Sequence, residues 1–118
     1  MGFFYDLWEG RDMNGPEDFY YNRPGESGTL RLRINWKDGL KNGPEERYYE
    51  DGPLQEKTTY KDNVKHGPYE EYWENGQLQN KGTYKDGKKH GLFELYSKDG
   101  SLMAKATYNM GQQTAHHG

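Results

Sequence analysis

The sequence predicts an all-β fold, an elongated single-layer antiparallel β-meander built of stacked hairpins that recur about every 24 residues. Three observations predict it. The octapeptide "YKDNVKHG" at 60–67 returns as "YKDGKKHG" at 84–91. Turn-type dipeptides (Asp51-Gly52, Asn75-Gly76, Asp99-Gly100) separate short aromatic runs. Only 31% of residues are apolar and the mean hydropathy is -1.37, yet 11 Tyr, 3 Trp and 4 Phe supply rings large enough to order a thin sheet.

The repeat sets the organisation. Units run over 43–66, 67–90 and 91–114, and an earlier unit, 15–42, carries extra residues around "NRPGES". Residues 1–14 fit a partial N-terminal repeat, because the spacing from Trp8 to Gly15 recurs from Trp36 to Gly43; residues 115–118 form a tail. Tyr20, Tyr48, Tyr72 and Tyr96 share one column. Leu30, Leu54, Leu78 and Leu102 share a second, and Trp36, Tyr60, Tyr84 and Tyr108 a third. A second turn follows the third column at Asp38-Gly39 and Asp86-Gly87, with Asn63 in the glycine place of the unit between them.

Charge fixes the expected register. A two-residue turn at Asn75-Gly76 sets Glu70 opposite Lys81, and the same rule pairs Glu46 with Lys57, Glu94 with Lys105 and Asp18 with Arg33. Exposed pairs contribute about 0.2–1 kcal/mol each, enough to select a register. The other face then pairs Trp73 with Leu78, Tyr49 with Leu54 and Tyr69 with Gly82, and holds the core stripe.

Composition narrows the function. The net charge is -3, with 16 basic and 19 acidic residues interspersed, so no basic stripe marks a nucleic-acid partner. The absence of cysteine fits a reducing compartment, and the expected localisation is cytoplasmic. The opening "MGFFYDLWEGRD" lacks the basic start of a signal peptide, and Asp6 stands where a myristoylation signal has Ser or Thr.

The stretches "YKDNVKHGPYEEYWENGQL" and "YKDGKKHGLFELYSKDGSL" resemble the MORN (membrane occupation and recognition nexus) repeat, most closely its bacterial variant. That resemblance covers residues 15 to 114 and implies stacked β-hairpins that bind partners, in the manner of antitoxin-like inhibitors or, among eukaryotic relatives, of proteins at phospholipid surfaces. The third unit departs from the pattern, reading "YNMGQQT" without Lys-His-Gly.

Chemistry-bearing residues favour binding over catalysis. His66 and His90 sit one unit apart, roughly 10 Å by strand spacing, too far to share a metal; backbone hydrogen bonding accounts for them better. The acids Glu46, Glu70 and Glu94 each face a base across the strand, and no phosphate loop or nucleophile-base pair is present, so no enzyme and no cofactor or metal are expected. The expected partner is another protein, met by Trp36, Tyr49, Tyr60, Trp73 and Tyr84 on one face and by Phe93, Leu95, Leu102 and Met103 of the apolar last hairpin, with a homodimer through that hairpin as one form of contact. The alternative is a peripheral adaptor whose turn lysines, Lys65, Lys85, Lys88 and Lys89, meet anionic lipid head groups.

Overall fold

A computed structural model of the chain describes residues 13–21 and 28–116, the side chains of 115 and 116 excepted. The expected partial repeat at 1–14 and the "NRPGES" insertion lie largely outside these residues. The elements are all strands: β1 (Gly15–Tyr20), β2 (Leu30–Lys37), β3 (Leu40–Lys41), β4 (Gly43–Tyr48), β5 (Leu54–Lys61), β6 (Val64–Tyr72), β7 (Leu78–Lys85), β8 (Lys88–Lys89), β9 (Gly91–Tyr96), β10 (Leu102–Asn109) and β11 (Gln112–His116). They form one antiparallel sheet in sequence order, with the short β3 and β8 leading into β4 and β9. The slab measures 56 × 36 × 16 Å, and its radius of gyration of 17.2 Å exceeds the ~13 Å of a compact chain this long. It is a single layer.

Two kinds of turn alternate at the expected places, but the "DG" and "NG" turns are longer than the two residues expected of them. The two-residue turns sit at the "KDG" positions, where Lys37 pairs Leu40, Lys61 pairs Val64 and Lys85 pairs Lys88. Both central residues there take positive φ, as in Asp86 (51°) with Gly87 (85°), and Asn63 reaches 72° in the glycine place. The "DG" and "NG" positions instead form three-residue loops. Gly76 donates its N–H to the Trp73 carbonyl while Trp73 donates to Gln77, and only Gly76 is left-handed, at φ 90°. This is a type I turn followed by a left-handed glycine, which shifts the strand by one residue.

That shift corrects part of the expected register. Tyr72 and Tyr48, not Trp73 and Tyr49, lie opposite Leu78 and Leu54. A bulge one step further along absorbs the extra residue, so Glu70 still faces Lys81 and Tyr69 still faces Gly82. The charge pairs thereby join into one unbroken row of alternating sign. It runs Asp18, Arg33, Glu46, Lys57, Glu70, Lys81, Glu94, Lys105, each residue facing the next across the sheet. Within this row only Asp18 and Arg33 close to an ion pair, at 2.7 Å, so the row acts through register more than through tight contacts.

The opposite face carries what core the protein has. Ile34, Thr58 and Phe93 are buried there, with Thr58 at 2% exposure and Phe93 at 7%. Tyr69, Tyr84, Phe93 and Tyr108 meet edge to face in a train, with successive centroids 5.6, 5.7 and 5.4 Å apart. Gly82 makes the train possible, because a Cβ there would overlap the Phe93 ring. Gly82→Ala is therefore expected to destabilise the fold by about 1–3 kcal/mol in a denaturant titration. Combining it with Phe93→Ala, which vacates the overlapped space, is expected to give less than the sum of the two single losses.

Candidate interaction surface

Most residues of the repeated octapeptide have a structural task. Tyr60 and Tyr84 supply rings to the core face; Asp62 with Asn63, and Asp86 with Gly87, make the turns. His66 accepts, at Nδ1, the backbone N–H of Asp86 in the next turn (3.2 Å), and His90 accepts that of Met110 (3.3 Å). Asn14 and Asn42 hold the same column and accept from Asp38 and Asp62 through Oδ1. Turn backbones also bond directly, Gly87 N–H to Lys65 carbonyl and Gly111 N–H to Lys89 carbonyl, each 2.8 Å. A histidine accepting at Nδ1 is neutral and carries its proton on Nε2.

The far ends of the hairpins are tied in a second row. Tyr21, Tyr49 and Trp73 each reach one unit forward and donate to the backbone carbonyls of Tyr48 (2.7 Å), Tyr72 (2.6 Å) and Tyr96 (3.2 Å). Tyr49 and Trp73, expected as partner contacts, thus have their polar heads engaged inside the sheet.

The two faces differ in what they leave for a partner. On the charge face Tyr72 donates to Glu70 at 3.0 Å; burial first, then this glutamate, raises its phenol. On the ring face burial raises Tyr60, Tyr69 and Tyr84 above the ordinary tyrosine value, and neighbouring glutamates add to the effect. Phenols shifted upward stay protonated at neutral pH, the reverse of what a phenolate base or nucleophile needs. Glu45, 6% exposed, lies 2.6 Å from Lys41 Nζ and 3.4 Å from Arg47, without hydrogen-bond alignment at its Oε1. That carboxylate neutralises its own surroundings. No group of three or more potential metal ligands gathers among the described residues.

The remaining candidates divide by place. Trp36, Tyr60 and Tyr84 are half-buried on the ring face, where Trp36 donates to Glu17 at 3.0 Å. Phe93 is core. Leu95, at 41% exposure, joins Phe93, Ala104, Ala106, Tyr108 and Lys89 around an open groove of about 250 Å³. Leu102 and Met103 (58% exposed) begin β10 outside that groove, and Leu92 is exposed at the other end of the same hairpin, opposite Thr107. Lys65 and Lys89 lie over aromatic rings, whereas Lys85 and Lys88 project at the turns beside exposed Val64. Residues 112–116, which the sequence places at the end of the last unit and in the tail, add β11 beside β10. Sequence reasoning found Phe93 and Leu95 of this groove as part of the apolar last hairpin. It missed Lys89 and Tyr108 as their neighbours, because that proximity comes from cross-strand register.

The profile of the family described as MORN repeat variant matches residues 41–62, 65–86 and 89–110, more than half of the chain. No curated protein matches significantly.

Two outcomes test the geometry. His66→Asn keeps an acceptor in the column and is expected to leave stability unchanged, while His66→Ala costs about 0.5–1 kcal/mol; nitrogen NMR is expected to find the Nε2–H tautomer at both histidines. Asp99 accepts from the Ser97 hydroxyl and from the Ser101 N–H at 2.9 Å, and these bonds bring its carboxyl down to about 2. NMR titration is expected to show that midpoint, rising in Ser97→Ala. The carboxylate's contribution to stability is complete above the unfolded value of about 4 and lost as pH falls toward 2.

Proposed function

Because the chain belongs to the MORN repeat variant family, whose members are non-catalytic interaction repeats, we propose that it acts by surface contact, occluding a partner protein in the manner of an inhibitor or antitoxin. One observation carries this reading. Exposed large apolar side chains concentrate in the last hairpin, where Leu92, Leu95, Leu102 and Met103 are all more than 40% exposed on a slab with no second layer to cover them. Apolar area of this kind on an ordered strand pair is the usual mark of a docking surface. A rigid single-layer sheet also binds without the ordering cost of a loop, which suits occlusion.

A second reading follows from the turn edge. Leu40, Val64 and Met110 are exposed there beside Lys61, Lys85 and Lys88, a mixture that suits the head-group region of an anionic membrane. Asp62 and Asp86 share the same edge, which dilutes the positive charge. The protein-binding reading is therefore preferred.

Affinity purification of the intact chain from its native cells, followed by mass measurement of the complex, separates the two. Leu95→Asp combined with Met103→Asp is expected to abolish a stoichiometric protein complex, with Lys85→Glu and Lys88→Glu leaving it intact. Flotation with phosphatidylserine vesicles, lost in the lysine variants alone, would establish the lipid adaptor instead.

A further inference from the structure

Three lysines occupy one column of the ring face and meet different chemistry. Lys41, Lys65 and Lys89 each lie over an aromatic ring of the following repeat unit, 4.8 Å from Tyr60, 5.0 Å from Tyr84 and 4.9 Å from Tyr108. Four residues further on, the successive units carry Glu45, Tyr69 and Phe93. Lys41 therefore has an internal carboxylate at 2.6 Å. At Lys65 the position holds a tyrosine whose hydroxyl turns to Glu71 (3.1 Å), and Glu56 and Glu71 act on the Tyr84 ring beneath. At Lys89 it holds Phe93, and the ammonium lies 5.1 Å from that ring as well.

Among the described residues no carboxylate forms an ion pair with Lys89. Glu94 sits in the charge row between Lys81 and Lys105, and with Lys105 it also lines the groove beside Lys89 without pairing to that lysine. The Lys89 ammonium is thus half-buried between two ring faces, and ring faces do not accept all three of its N–H bonds. Beside it the groove over Ala104 and Ala106 is floored by small side chains and walled by Phe93, Leu95 and Tyr108. At about 250 Å³ it suits one or two inserted side chains better than a drug-sized ligand.

Resting on the protein-binding reading above, we infer that Lys89 and this groove form a docking site for a partner-protein segment that sets a carboxylate beside an apolar side chain. Phe93 fills at Lys89 the place that Glu45 takes at Lys41, so the missing counter-ion comes from outside: the partner's acid meets the Lys89 ammonium from its solvent side. The apolar side chain enters the groove between Leu95 and Tyr108. Orientation follows from the same face: Glu56 stands directly opposite Glu71, and Glu71 opposite Asn80 at the groove's far side, so a second acid is repelled there.

The test is selection of a displayed library of random linear peptides on the intact chain, with amide NMR mapping of the selected peptides on the unmodified protein. Selected sequences are expected to place Asp or Glu within a few residues of Phe, Leu or Trp and to shift the amides of Phe93, Leu95, Ala104, Ala106 and Tyr108. Lys89→Glu is expected to weaken them about tenfold or more, and a peptide with its acid changed to Lys to recover affinity for that variant. The NMR mapping needs no variant, so it decides the matter even where Lys89→Glu unfolds. Selected peptides without an acid, or shifts confined to the charge face, overturn the inference and leave the protein-binding reading standing. Binding to phosphatidylserine vesicles with no peptide selected overturns both.

Discussion

A sheet with no second layer must be covered by its own side chains, and this constraint shapes every other feature of the molecule. A large interior is out of reach in a slab 16 Å thick, so cohesion comes from ties between adjacent hairpins. The ring ends of Tyr21, Tyr49 and Trp73 tie one side, and the Asn14, Asn42, His66 and His90 acceptors tie the other. Between them the edge-to-face train of Tyr69, Tyr84, Phe93 and Tyr108 spreads a narrow core along the array. Each tie joins one unit to the next, which makes the stability of the whole a sum of neighbour terms.

The shared residues are consequently structural, and the residues that change from unit to unit are free to specialise. Glu45, Tyr69 and Phe93 occupy one position and turn the ring face from ionic near the first units to apolar at the last. Gly82 opposite Tyr69, and Ala106 opposite Phe93, follow this change by making room for rings. The charge face does not vary in this way. Its alternating row sets four acids against four bases from β1 to β10, so their formal charges cancel. The differences between units therefore concentrate on the ring face and in the apolar C-terminal hairpin.

How far the fold was legible can be followed at single residues. The pairs Glu70–Lys81 and Tyr69–Gly82 were readable because repetition tests one register four times over. The Trp73–Leu78 and Tyr49–Leu54 pairs failed, since "NG" and "DG" fit both a two-residue turn and a type I turn with a left-handed glycine. The choice lies in a compensating bulge further along the strand, which leaves no local mark. The candidate surface was half legible. Leu95 and Met103 were visible as apolar departures from the repeat, but the burial of Phe93 and the ring contacts of Lys89 depend on which strand lies beside which.

By itself the sequence determined the class, the period and the order of the strands, because a recurring pattern of rings, turn residues and opposite charges admits one way of stacking. Only the tertiary structure decided which lysines keep an internal counter-ion and which do not. Lys41 and Lys89 look alike in a column of residues; they differ because packing brings a carboxylate against one and two aromatic rings against the other.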